Sequence, residues 1–234
     1  MTAKNKTHRH TPNSRDRLIL EHVARYRLTT LEVLSRAVLP GLSRNALSKV
    51  TNRLCSADLL QKHTLLHPVK YFVLGDWGAR GLGFREYRAH PLGPQSLPQE
   101  FAILTFAALS AKAHLRLNTS EVLKRCPWLP TYMASAPHCI DRAEVLELVR
   151  VDLGGPADHV ARKCAVDLVN RCRIREFPPL LAEGRFRLVV ITSTTGKATA
   201  IQRALDRHEL PSGLSIHFSV VPQLLSLGVN SDHA

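Results

Sequence analysis

The sequence predicts an α+β protein in two parts. A mainly helical segment closed by a hairpin is expected over residues 14–83, and an alternation of strands and helices over 99–230. Three observations carry this reading. Apolar residues between 15 and 56 recur at three- and four-residue steps, the period of an amphipathic helix. Residues 84–98, FREYRAHPLGPQSLP, hold three prolines and a glycine, which interrupt any long helix and mark a linker. Beyond them, three apolar strand-like runs are separated by helix-like stretches, the order of an α/β layer.

Composition narrows the class. Of 234 residues, 44% are hydrophobic and 22% charged, enough for a packed core. No apolar run reaches the roughly 18 residues that span a bilayer, so no membrane role is expected. The first residues lack the apolar stretch of a secretory signal, which gives a cytoplasmic expectation. The five cysteines, Cys55, Cys126, Cys139, Cys164 and Cys172, are odd in number and form no CxxC pair. They suit reduced thiols rather than a disulfide framework or a zinc site, and no metal or cofactor is expected.

The formal net charge is +13 and the pI about 10.1. Residues 1–97 hold 16 Lys or Arg against 6 Asp or Glu, a net of +10, whereas residues 98–234 hold 16 against 13, a net of +3. The first half therefore carries the electrostatic footprint a polyanion would meet.

Element by element, residues 1–13 read as a disordered basic tail. From Arg15, the positions Ile19, Leu20, Val23, Ala24 and Arg27 follow helical steps. A second helix is expected from Thr29 as N-cap, with Glu32 completing a capping box. Its inner face would hold Leu31, Leu34, Ala37 and Val38, and Pro40-Gly41 would end it. A third helix starts after Ser43, a good N-cap. Leu47, Val50 and Leu54 share one stripe; Asn45, Ser48, Lys49, Asn52 and Arg53 share the other, flanked by Arg44. Such a helix suits a major groove, where Arg reads guanine, Asn reads adenine, and Lys or Ser holds phosphate. Two short strands follow with a tip near His67-Pro68, and Lys62, His63, His67 and Lys70 are candidate phosphate contacts. Trp77 and Gly78 are expected to close the unit. In element order and turn placement, residues 15–75 resemble the winged-helix family, which implies double-stranded DNA binding through the third helix and the hairpin.

In the second half, residues 98–112 read as a helix too apolar for a free surface. Strands are expected over 145–152, 187–192 and 214–221, and helices over 157–172 and 197–208. The middle strand is apolar almost throughout, as a buried parallel strand is. Residues 193–199, Ser-Thr-Thr-Gly-Lys-Ala-Thr, fail the spacing of a phosphate loop. Ile191 stands where its first glycine is needed and Ala198 follows Lys197, so the segment reads as a strand-to-helix turn. Gly154-Gly155 before a helix is a weak anion-site signal.

Pro137-His138-Cys139-Ile140-Asp141, then LELVRVDLGG over 146–155, then Ala161-Arg162-Lys163, resemble the C-terminal part of replication-relaxation family proteins of plasmids and other mobile elements. That resemblance implies an N-terminal winged helix joined to a degenerate nuclease-like domain of the PD-(D/E)xK type. Asp141, Asp152 and Lys163 are then the residual motif. Arg150 occupies the acidic position of the pattern, and a cation there opposes a metal. The expectation is a catalytically silent domain, with Asp152 and Lys163 left as a salt bridge. Together these readings give a sequence-specific DNA-binding protein, acting as a homodimer in transcription or replication with a possible partner protein. The alternatives are a metal-dependent nuclease and a protein-interaction module.

Overall fold

The computed structural model describes residues 11–229, so most of the expected basic tail lies outside the described residues. The chain is mixed α and β and divides into two compact units, Met1–Gly93 and Pro94–Ala234.

In the first unit, helix α1 (Ser14–Tyr26) begins with a capping box. Asn13 Oδ1 accepts the Asp16 N–H at 3.0 Å, and Asp16 Oδ2 accepts the Asn13 N–H at 3.2 Å. Ile19, Leu20, Val23 and Tyr26 are buried, and Arg27, at φ +68°, ends the helix in the left-handed region. Thr29 is not the next N-cap. Thr29–Thr30 form strand β1, with Thr29 opposite Phe72, and the capping oxygen is Thr30 Oγ1, which accepts the Val33 N–H at 3.3 Å. Strand pairing claims Thr29 and moves the helix start by one residue. Helix α2 (Leu31–Val33) runs on as a π turn over Leu34–Val38. The wider turn changes the angular step, so Val33 and Leu34 are buried while Ala37, expected inside, is exposed. Gly41, at φ +95°, turns the chain into helix α3 (Arg44–Ser56), capped by Ser43 Oγ on the Ala46 N–H at 3.2 Å.

Strands β2 (Leu60–Leu66) and β3 (Val69–Leu74) form an antiparallel hairpin around His67-Pro68, and the sheet order is β1-β3-β2. Leu47, Val50 and Leu54 from α3 share one core with Ile19, Leu20, Val23, Leu60, Phe72 and Leu74. Helix α4 (Asp76–Gly81) closes the end of the hairpin. A Cβ on Gly78 would sit 2.1 Å from the Leu59 carbonyl oxygen, so only glycine allows this approach. Trp77, expected to close the unit, is half exposed, with the Arg80 guanidinium 5.7 Å from its ring centre.

The expected linker, 84–98, is largely folded. A 3₁₀ turn at Glu86–Ala89 places Ala89 in the first core, Arg88 donates to the Ala24 carbonyl, and Leu92 backbone bonds the Tyr71 hydroxyl. Helix α5 already starts at Ser96, which leaves the division at Gly93-Pro94. Local composition registers the prolines but not the packing of the residues between them.

The second unit is a five-stranded sheet in the order β4-β5-β6-β7-β8. Strands β4 (His114–Leu117) and β5 (His138–Asp141) are antiparallel additions that sequence periodicity does not reveal, being four residues each. Strands β6 (Leu146–Val151), β7 (Phe186–Thr192) and β8 (Ser215–Val220) are parallel, as the alternation predicts. Helices α6 (Thr119–Arg125), α7 (Thr131–Ala134), α8 (Ala157–Cys172), α9 (Phe177–Ala182) and α10 (Thr195–Leu205) complete this layer. Buried residues of α8 and α10 pack with Leu146, Leu148, Phe186, Leu188 and Val190 on one sheet face. Helix α5 (Ser96–Leu109) covers the other face, with α11 (Leu224–Val229) against it. The strongly apolar α5 is thus a core helix of its own unit, with Phe101, Ile103, Leu104 and Phe106 buried. No helix among the described residues is long and apolar enough to cross a membrane.

Candidate nucleic-acid interface

Helix α3 buries Leu47, Val50, Thr51 and Leu54 and turns Arg44, Asn45, Lys49 and Asn52 outward, all exposed; Ser48 is half-buried between the two faces. The outward side chains alternate cation and amide along the helix, Arg44 then Asn45 and Lys49 then Asn52. Each amide offers both a donor and an acceptor.

The hairpin extends this surface. Cross-strand pairs share a sheet face, and Leu60 with Leu74, Lys62 with Phe72, and Thr64 with Lys70 are such pairs. Leu60, Leu74 and Phe72 lie in the core beside α3, so Lys62, Thr64 and Lys70 continue that face toward the tip. Lys62 Nζ donates to Asn52 Oδ1 at 3.4 Å, which joins hairpin and helix directly, and Lys70 Nζ donates to Thr64 Oγ1 at 2.7 Å. Both lysines and His67 at the tip are exposed. Thr64 is absent from the sequence-derived set, although its two-residue step from Lys62 is the signal that places it there.

Two of the expected contacts have other partners within the fold. Arg53 does belong to the polar stripe, but its guanidinium pairs with the fully buried Asp16 carboxylate of α1 at 2.5 Å. Its charge anchors α3 to α1. His63 falls on the opposite sheet face from Lys62, as strand alternation requires, and its ring lies against Tyr71 at 5.3 Å. Burial lowers its pKa from the ordinary histidine value.

In the second unit the residual motif does not assemble. Asp141 ends β5 beside Val145, where its Oδ1 accepts the Ala143 and Val145 N–H groups at 2.9 and 3.0 Å. Asp152 lies past the far end of β6. Seven residues of extended chain separate these ends by roughly 20 Å, too far for one metal ion. Lys163 is exposed on α8, and the expected Asp152–Lys163 bridge is replaced by Asp152 with Lys197, 3.9 Å apart. Lys197 also donates to the Gly155 carbonyl, so the strand-to-helix turn at 193–199 ties the β6–α8 turn to α10. Arg150 pairs with Asp167 of α8 at 3.1 Å.

A charged cluster that sequence reasoning did not find lies under α5. Glu147, fully buried on β6, bonds His114 Nδ1 at 2.7 Å and Arg187 Nη1 at 3.0 Å, and Arg187 also reaches Asp141 at 3.3 Å. Arg116 pairs with Glu100 of α5. Cys139 shares this face, and burial pushes its thiol up to about 12, with Glu147 adding to the effect. A thiol held protonated is a poor nucleophile. The ion pairs satisfy one another and lock α5 to the sheet.

Cys126, Cys139 and Cys164 are buried, while Cys55 and Cys172 are half-buried. Among the described residues, no three His, Cys, Asp or Glu side chains are grouped to hold a metal ion. Comparison with protein-family models, with curated proteins and with solved structures finds no match.

Proposed function

We propose that the chain binds double-stranded DNA with sequence preference, its first unit acting as a winged helix-turn-helix. The observation that carries this reading is the continuous surface from α3 to the hairpin, where Asn52 and Lys62 touch. Helix α3 would enter the major groove, with Arg44, Asn45, Lys49 and Asn52 toward base edges. Lys62, Lys70 and His67 would sit over the flanking phosphates. The charge supports this, since the half bearing that surface carries a net +10. In the second unit, the separation of Asp141 from Asp152 and the engagement of Arg150 favour a scaffold over a nuclease. The wider role we propose is that of a transcriptional regulator or replication accessory factor of a plasmid or other mobile element, following the family resemblance.

The test is selection from random duplex DNA at near-physiological salt, followed by sequencing. An enriched motif is expected, with Lys49→Ala weakening binding to it by about 1–3 kcal/mol. Lys62→Ala is expected to weaken all sequences alike and to lower the salt slope by about one. Binding without enrichment that collapses as salt rises would reduce the surface to a non-specific polyanion site.

A further inference from the structure

Strand β8 is an edge strand of six residues, Ser215-Ile216-His217-Phe218-Ser219-Val220, parallel to β7 on its inner side. Just past the strand, the Val221 N–H donates to the Thr192 carbonyl at 2.8 Å. Backbone groups alternate in direction along a strand, so the odd-numbered residues face β7. Ile216, Phe218 and Val220 therefore turn their N–H and C=O groups outward. Among the described residues, no backbone group pairs with that outer side.

Exposed edges are ordinarily blunted by charge, proline, bulges or a very short strand. Strand β8 has none of these: it holds no Lys, Arg, Asp, Glu or Pro, and its register with β7 is unbroken. The opposite edge, β4, is four residues long and carries Arg116. The side chains of Ile216 and Phe218 are partly buried against the core on the α8–α10 face, and Val220, on the same side of the strand, is 40% exposed. The edge thus offers unpaired backbone together with an apolar row.

We propose that β8 pairs antiparallel with β8 of a second copy of this chain, joining two five-stranded sheets into one across a two-fold axis perpendicular to the sheet. Such an axis places each residue opposite one of the same parity, which keeps the helical layers on one side. With Phe218 opposite its own counterpart, Ile216 faces Val220 of the second copy. All three outward residues then exchange both backbone bonds, about six in total. The register centred on His217 makes about four. The favoured register also brings Ile216, Phe218 and Val220 of both copies into one apolar row, whereas His217 and Ser219 form the non-hydrogen-bonded pair. This self-complementarity selects a second copy over a foreign strand. The inference stands independently of DNA binding, and salt separates the two: both copies are strongly basic, so salt strengthens the dimer while it weakens binding to DNA.

The experiment is sedimentation equilibrium of the full chain without DNA, alongside Val220→Lys. Position 220 tolerates a lysine in the single copy because it is partly exposed, but the dimer would bury that charge against Ile216. The expected result is a dimer whose dissociation constant rises about 100-fold in the variant, with unchanged circular dichroism and melting. Should the variant lose its fold, a His217→Cys, Ser219→Cys double variant replaces it. Peptide mapping after mild oxidation is then expected to find the 217–219 disulfide between copies, since non-hydrogen-bonded pairs bring Cα atoms within bridging range. A wild-type chain that stays monomeric overturns the proposal. So does a Val220→Lys chain that dimerises as tightly as wild type, or an oxidised dimer lacking that cross-link.

Discussion

Asp16 and Arg53 illustrate how one contact changes a residue's meaning. On a helical wheel Arg53 is equivalent to Lys49, and both suit a groove-facing stripe. In the folded chain Arg53 reaches a carboxylate with no solvent exposure, at the first turn of α1. Each charge also favours its helix terminus, Asp16 near an N-terminus and Arg53 near a C-terminus. Arg53→Ala is expected to cost about 2 kcal/mol of stability by leaving a buried carboxylate short of a partner. Lys49→Ala, which is exposed, should leave stability unchanged. Thermal unfolding of the two variants checks this, and equal melting temperatures would mean that the Arg53–Asp16 pair adds nothing to stability. A pair separated by 37 positions leaves no local signal, which is why the sequence groups Arg53 with its neighbours.

At the scale of elements, the longer helices and the parallel strands are legible because each repeats one period long enough to count, whereas the short helices α4, α6, α7, α9 and α11 are not. Helix α8 falls at 157–172 as its pattern predicts, and α3 starts at its predicted cap. Strands β4 and β5 escape because four residues cannot establish a two-residue period. Segment 84–93 escapes because its docking on β3 is tertiary. The same holds for α4, whose closeness to the α3–β2 turn rests on the missing Cβ atoms of Gly75 and Gly78. Gly78→Ala would force a methyl group to within 2.1 Å of the Leu59 carbonyl oxygen. The expected cost is about 2–3 kcal/mol, read as a lower urea midpoint. An unchanged midpoint would mean that α4 is free to move off the turn.

Across the whole molecule, each unit has its own hydrophobic core, and each contains a histidine withdrawn from water: His22, half-buried, in the first and His138, fully buried, in the second. Burial lowers His22 to about 4 in the first unit. In the second, burial together with the Arg171 charge lowers His138 to about 4, while its Nδ1–H donates to the Ala136 carbonyl at 2.7 Å. The folded state holds both neutral, whereas the unfolded chain takes up protons below the ordinary value near 6.5. Stability is therefore full above that value and falls as pH drops toward 4. A tenfold change in proton affinity is worth about 1.4 kcal/mol, so each histidine withdraws about 2 kcal/mol by pH 5. Single-tryptophan variants separate the units, because Trp77 reports on the first and Trp128 on the second. Urea unfolding followed at pH 7 and pH 5 should show both losing stability, and a flat response in either would place its histidine in contact with water.

The sequence by itself determined the order of the longer helices and the parallel strands, the α3 cap and its polar face, the hairpin tip, and the concentration of positive charge in the first half. These depend on neighbours a few residues apart or on summed composition. Only the tertiary structure decided that Arg53 serves Asp16, that Asp152 meets Lys197 rather than Lys163, and that Asp141 lies at the far end of the sheet. It alone also exposed β8 as an unprotected edge. Each of these is set by which distant segments pack together, and packing partners follow from the fit of whole surfaces, to which no local pattern along the chain corresponds.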